Sequence, residues 1–292
     1  MSSLPATAPP TGAPAWPLRR EDGLPVVMGV VNVTPDSFSD GGQWFEPSAA
    51  VEHGRELMVQ GADILDVGGE STRPGAERPS VAEELRRVLP VVTELAAAGA
   101  LVSIDTMRAE VAAQALAAGA GIVNDVSGGL ADPDMAGVVA DAGVPFVAMH
   151  WRGHSADMQS RAVYDDVVTD VVAELTQRAD ALVGAGIAAD RIVLDPGFGF
   201  AKLAGHNWSL LRALDRLVEL DHPLLVGTSR KGFLGWLGVP AGGELREPLD
   251  RDVATAATSM HAARVGAWGV RVHHIPTSLD AMRVARAIQD AE

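Results

Sequence analysis

Apolar and polar positions along this chain follow two rhythms that take turns. Short, nearly continuous apolar runs, as a strand buried on both faces requires, occur at 26–33, 62–67, 101–104, 121–124, 145–149, 191–194, 223–226 and 268–272. Between them lie longer stretches with apolar residues at helical spacing, at 48–60, 81–97, 108–118, 133–142, 167–185, 208–220, 252–265 and 278–289. Glycines close most of the helical stretches, at Gly61, Gly99, Gly119, Gly143, Gly184, Gly186 and Gly266, where a left-handed cap would stop a helix before the next strand. Eight strand–helix pairs in succession predict one parallel (β/α)8 barrel, the TIM-barrel form of the α/β class. A doubly wound open sheet is the runner-up.

A barrel places its chemistry at the C-terminal ends of its strands and in the loops that follow. The polar side chains collect there. The first run ends at Asn32 and passes into Thr34-Pro35-Asp36-Ser37 and Ser39-Asp40-Gly41-Gly42, which are turn residues. The second is followed by Gly68 to Gly75, with Thr72, Arg73 and Pro74 inside. The third ends at Asp105, the fourth at Asn124-Asp125, the fifth at Met149-His150 and the sixth at Asp195. The seventh leads to Thr228-Ser229-Arg230-Lys231, and the eighth ends at Arg271-Val272-His273-His274.

Each group has a chemical reading and a bland one. Arg73, Arg271, His273 and the Asn32 loop suggest an anion site, because Arg presents a fork suited to phosphate. The bland readings are a surface ion pair of Arg73 with Glu77 and a satisfied buried histidine. Asp105, Asn124 and Asp195, with Lys231 nearby, offer the acceptors and donors that a pterin or purine edge needs. The alternative is a structural Asp195–Lys231 ion pair. Phe198 and Phe200 flank Gly199 and suit a flat ligand, or else rim packing. Ser229 and the amides of Arg230 and Lys231 lie at a predicted helix start, where a carboxylate is welcome. No carboxylate or histidine cluster has metal-cage spacing. A metal would be Mg2+ on one or two protein oxygens plus phosphates and waters, with Asn32 as the candidate ligand.

Composition sharpens the picture at five points. A net charge of −15 over 292 residues argues against nucleic acid and anionic membrane as partners. With no cysteine, disulfides, thiolate metal sites and cysteine nucleophiles are excluded. No apolar stretch is long enough to span a bilayer. Residues 1–23, rich in Pro and Ala, read as a disordered leader on a cytoplasmic protein, leaving 24–292 for the barrel. Finally, of 23 Lys plus Arg, only Lys202 and Lys231 are lysine. Lysine is a compact point donor that Arg does not replace at a tight site.

The motifs in order are NVTPDSFSDGG from Asn32, DVGGESTRPGA from Asp66, SIDT from Ser103, VNDVSGG from Val123, MH at Met149 with a later MQ at Met158, LDPGFGFAK from Leu194, VGTSRK from Val226 and RVH from Arg271. Together they resemble bacterial dihydropteroate synthases along nearly all of the chain after the leader. The resemblance implies a (β/α)8 barrel that joins 7,8-dihydropterin-6-ylmethyl diphosphate to 4-aminobenzoate. It implies that Asp105, Asn124, Asp195 and Lys231 hold the pterin, packed by Met149 and Phe200. It gives Mg2+ to Asn32, and the diphosphate to Asn32, Thr72, Arg73, Arg271 and His273. Thr72, Pro74, Phe198, Lys231 and Ser229 would frame the aminobenzoate. Asp105, Asn32, Lys231 and Arg271 would act in catalysis. Loops 34–42 and 71–78 would close over the substrates, and a homodimer would form through C-terminal barrel helices. Two departures stand out: His274 where the family often has Asp, and an atypical segment at 151–157. A pterin-dependent methyltransferase domain and a non-catalytic pterin-binding paralogue are the alternatives.

Overall fold

The structure, a computed structural model, describes residues 16–34, 47–71, 78–153 and 158–291. Eight strands alternate with helices: β1 (Val26–Asn32), α1 (Pro47–Gln60), β2 (Ile64–Gly68), α2 (Val81–Ala97), β3 (Val102–Asp105), α3 (Ala109–Ala117), β4 (Ile122–Asp125), α4 (Met135–Ala142), β5 (Phe146–Met149), α5 (Val167–Gly184), β6 (Ile192–Asp195), α6 (Ala204–Arg212), α7 (Leu214–Val218), β7 (Leu225–Val226), α8 (Gly232–Gly235), α9 (Asp252–Val265), β8 (Gly269–Val272) and α10 (Ile275–Asp290). All strand pairs are parallel, in the order β6-β5-β4-β3-β2-β1-β8-β7. A bridge between Leu194 and Leu224 joins β6 to the start of β7 and closes the ring. The expected (β/α)8 barrel is therefore the architecture, and the open sheet is excluded.

Side chains on a strand alternate between two faces. One set, including Val27, Val31, Leu65, Val67, Ile104 and Leu194, packs outward against the helices in the main core. The other points inward, where Val26, Met28, Ile64, Ile122, Val147, Val193 and Leu225 form a separate buried cluster. Trp16, Leu18, Leu101 and Trp268 pack on that cluster. The Trp268 indole donates to the Leu18 carbonyl at 2.9 Å.

The structure corrects the expected leader. Residues 1–15 lie outside the described residues, but 16–23 are part of the barrel's lower end. Arg20 pairs with Asp63 at 2.7 Å, and Trp16 packs against Trp268 with ring centroids 5.4 Å apart. Packing of two half-buried indoles, and a part-buried cation–carboxylate pair, order this segment. Element ends shift for a related reason. The ladders of β3, β4 and β6 run on to include Asp105, Asp125 and Asp195, beyond the apolar runs. Of the seven expected glycine caps, six have positive φ, from 63° at Gly143 to 112° at Gly119, whereas Gly184 is the last residue of α5. The expected helix at 208–220 is two helices that meet at Ala213.

Candidate functional site

The inward parity of each strand continues upward from the apolar layer. Two residues beyond Ile64 is Asp66, beyond Ile122 is Asn124, beyond Val147 is Met149, and beyond Val193 is Asp195. On β3 the same face carries Ser103 and Asp105. On β8 it carries Arg271, and His273 follows just past the strand end. The register sets Asn32 beside Gly68, Gly68 beside Asp105, and Asp105 beside Asn124. Polar side chains from six strands thus form a crown over one apolar floor.

Arg271 organises the crown. Its Nε donates to Asp66 Oδ2 at 2.6 Å and its Nη2 to Asp105 Oδ2 at 2.7 Å. Asn124 Nδ2 donates to the same Asp66 oxygen at 2.9 Å, while Asp66 Oδ1 is buried without a partner. Burial disfavours the Arg271 cation, yet Asp66 and Asp105 outweigh it and hold its pKa above the usual value. Burial raises the Asp105 pKa, Arg271 opposes that shift, and Asp66, Asp125 and Glu84 reinforce it. Burial also raises Asp195, whose Oδ1 accepts from the Gly197 amide at 2.7 Å.

Lys231 is the cation left available. Among the described residues it makes no ion pair, so the Asp195–Lys231 salt bridge considered from sequence is not formed. Its Nζ lies over the Phe200 ring, 4.0 Å from the centroid. Burial first, and Arg271 second, bring its pKa down to about 8. Gly199, at φ +79°, lets the backbone pass beneath it; a Cβ there would sit 3.0 Å from Lys231 Cδ. Phe200 packs with Met149, Met158 and Ala201 in a small cluster beside Val126.

The structure assembles Asp105, Asn124, Met149, Asp195, Phe200, Lys231 and Arg271 at one mouth, with Asn32 exposed at the end of β1. It alters four expectations. Arg271 does not present an open phosphate fork, because two of its nitrogens are engaged by carboxylates. His273 adds no positive charge, since burial and then Arg271 push its pKa well below the usual value. Its Nδ1 instead pairs with Ser229 Oγ at 2.9 Å. Nor are the amides at the Ser229 turn free for a carboxylate: Arg230 N–H donates to Thr255 Oγ1 at 3.1 Å and Lys231 N–H to the Thr228 carbonyl at 3.1 Å. Phe198 packs into the main core and is 1% exposed, so it supports the rim from below. Thr72, Arg73 and Pro74, and loop positions 35–42 and 72–77, lie outside the described residues.

Two features were not singled out from sequence. Asp66 is fully buried and holds both Arg271 and Asn124. Its signal was present: a carboxylate inside an apolar run at inward parity must have a partner. The second is a brace below the rim, where buried Glu84 accepts from Thr106 Oγ1 at 2.6 Å and pairs with Arg108. Neither partner lies near Glu84 in sequence.

Among the described residues no helix is long and apolar enough to cross a membrane. The model of the pterin binding enzyme family matches residues 28–273. Dihydropteroate synthase of Mycobacterium leprae is 55% identical over 262 residues, which cover 89% of this chain and 92% of the relative. The structure of Xanthomonas albilineans dihydropteroate synthase with 4-aminobenzoic acid matches at TM-score 0.84 and 47% identity, covering 92% of this chain and 94% of that one. The same enzyme in complex with 7,8-dihydropteroate matches at TM-score 0.80 and 44% identity, covering 92% of this chain and 95% of that one.

Proposed function

We propose that this chain, which belongs to the pterin binding enzyme family, is a dihydropteroate synthase of folate biosynthesis, a transferase that joins 7,8-dihydropterin-6-ylmethyl diphosphate to 4-aminobenzoate. The products are 7,8-dihydropteroate and diphosphate. The observation that carries the reading is the crown itself. Asp105, Asn124, Asp195 and Lys231 converge above an apolar floor, beside Met149 and Phe200, as recognition of a flat heterocycle with many polar edges requires. Relatives bound to 4-aminobenzoic acid and to 7,8-dihydropteroate support it.

In this reading the Asn124 amide and the Asp195 carboxylate take the polar edges of the pterin. Lys231 donates to a ring carbonyl or nitrogen. The C–O bond to diphosphate breaks and its electron pair leaves with the diphosphate. Positive charge then spreads over the pterin methylene and ring, and the Asp105 carboxylate stabilises it. The aminobenzoate nitrogen attacks, the C–N bond forms, and the amine loses one proton. No side-chain nucleophile takes part; positioning and fixed charge lower the barrier. Arg271 holds Asp105 in place, and its Nη1 makes no hydrogen bond to a described residue.

Asn32 is the residue that would hold Mg2+. Its side chain is exposed at the rim and takes no hydrogen bond from any described residue. No group of three or more His, Asp or Glu that could hold a metal occurs among the described residues. One neutral amide oxygen suits a magnesium ion that arrives with diphosphate and keeps its waters. When bound, that ion supplies charge neutralisation to the leaving diphosphate. In this reading His273 would complete the diphosphate end and Ser229 would border the aminobenzoate; Arg73, Thr72 and Pro74, expected at the same two ends, lie outside the described residues.

The proposal includes a homodimer. Trp236, Leu237, Leu249 and Val253 by α8 and α9 are exposed, as are Val284 and Ile288 on α10. A subunit contact through these helices would cover such side chains. It also includes the cytoplasm as the place of action, since a chain without cysteine needs no disulfide-forming compartment. The experiment is direct: purified protein receives both substrates and Mg2+, and diphosphate and dihydropteroate are measured. Equal amounts of the two are expected. If neither forms, the reading is wrong.

A further inference from the structure

Lys202 is one of the two lysines in the chain, and the proposed chemistry does not use it. It is 3% exposed, which is unusual for a lysine without a carboxylate in direct contact. Its Nζ lies 3.0 Å from His150 Nδ1 and donates to the Phe200 carbonyl at 3.2 Å. On the far side of the ring, His150 Nε2 meets Glu174 Oε2 at 2.9 Å. The Glu174 side chain is 37% exposed and also pairs with Arg152. The imidazole therefore accepts from the ammonium at Nδ1 and donates to the carboxylate at Nε2. Burial, then the charge of Lys202, keeps His150 neutral by lowering its pKa to about 4.

This chain of groups sits under one turn. The turn runs from Asp195 to Phe200 and carries both of those pterin-pocket residues. Gly197, at φ +68°, is packed so tightly that a Cβ would lie 2.5 Å from the His150 carbonyl oxygen and 3.4 Å from Lys202 Nζ. The His150 amide donates to the Asp195 carbonyl at 2.8 Å. Lys202 thus touches the turn at its far end, and His150 holds its near end. The brace continues outward through Tyr164, whose hydroxyl donates to the Ala201 carbonyl at 3.0 Å.

We infer that Lys202 is a positioning residue for the pterin pocket: held by His150 and Glu174, its ammonium fixes the Asp195–Phe200 turn and adds buried positive charge facing Asp195. The inference rests on the reading of Asp195 as a pterin ligand. Charged and titratable groups face Lys202 from each neighbouring element. They are His150 after β5, Arg152 beyond it, Glu174 on α5, Asp195 on β6 and Lys231 after β7. Of these, Asp195 and Glu174 favour the ammonium, while Arg152 and Lys231 oppose it. Burial raises the Asp195 pKa, and the Gly197 amide, Lys231, Arg271 and then the Lys202 charge lower it.

The test is calorimetric affinity for 7,8-dihydropterin-6-ylmethyl diphosphate as a function of pH, for the native protein and for Lys202→Met, Lys202→Gln and Lys202→Arg. Without the cation, the acidic limb of binding moves to higher pH by about one unit, as expected for loss of an opposite charge near a buried carboxylate. At neutral pH that shift, with the loosened turn, weakens pterin affinity about tenfold. Aminobenzoate KM stays unchanged. Lys202→Arg keeps the charge and returns the limb to its native position. Lys202→Gln retains a donor for the Phe200 carbonyl and reads the same limb if Lys202→Met does not fold. Limbs that coincide in the native, Met and Gln proteins would overturn the inference, and so would an Arg variant shifted as far as Met. Because binding is read directly, a native protein that binds the pterin but makes no dihydropteroate defeats the synthase reading without touching this one.

Discussion

The two ends of the barrel are made by the same strands, two residues apart, yet they follow opposite rules. At the lower end Val26, Met28, Ile64, Ile122, Val147, Val193 and Leu225 fill the interior with apolar side chains. At the upper end the same faces carry Asp66, Asp105, Asn124, Asp195 and Arg271. Volume and shape decide whether the lower end is stable. The upper end contains buried charge that must be balanced group by group. Stability and chemistry are therefore separated along the strand axis, and substitutions at the two ends should separate them too.

The largest effect is expected from Arg271→Met. It leaves Asp66 and Asp105 buried with like charges and no cation between them. Turnover should fall by three orders of magnitude or more, and unfolding free energy by about 3 kcal/mol. Diphosphate release and urea denaturation read the two losses. If activity falls while stability rises, the carboxylate cluster is not what Arg271 holds together.

Asn32→Ala should act on one side of the comparison alone. It removes an oxygen from the rim and no core volume, so turnover drops on the order of a hundredfold. The urea midpoint moves little, within about 0.5 kcal/mol. A variant that is instead unstable and fully active would give Asn32 a structural role. Met28→Ala is the reverse case. Met28 is wholly buried in the lower layer, so a cavity there costs about 2–5 kcal/mol. The folded fraction should keep its native kcat/KM, and a loss per folded molecule would show that the two ends are coupled.

The smallest effect concerns pH. Burial lowers the Lys202 pKa from 10.5 to about 7. The folded chain releases this proton near pH 7 and the unfolded chain near 10.5, so between those values the unfolded state binds more protons. Stability accordingly rises with pH through that window, by on the order of 1 kcal/mol per pH unit from this group. Lys231, brought down to about 8, contributes with the same sign. Urea midpoints at rising pH should climb in the native protein and climb less in Lys202→Met. Equal slopes would mean that Lys202 does not titrate in the folded state.

Much of this was legible before the fold was known. Apolar runs ending in Asp105, Asp195 and Arg271 placed those residues at strand ends, because period-two burial and a polar terminus leave few other readings. Asn124, Met149, Phe200 and Lys231 followed from the same ordering. Asp66 was missed although it lies in the middle of a strand, because an isolated inward carboxylate does not announce which cation it meets. Its partner Arg271 is 205 positions away. Phe198 and Phe200 looked equivalent on either side of Gly199, yet one enters the main core and the other meets Lys231. The reversal of direction at Gly199 separates them, and composition does not reveal it.

The order of strands and helices, the parity of each strand and the end that bears polar groups all belong to the sequence. They depend on local periodicity and on which side chains water will release. The tertiary structure decided the pairings. It joined Arg271 to Asp66 and Asp105, set Lys231 against Phe200 instead of Asp195, and placed Lys202 beneath His150, 52 positions away. A buried charge takes its state from whatever closure of the ring brings within a few ångströms, and that distance is written in no single stretch of chain.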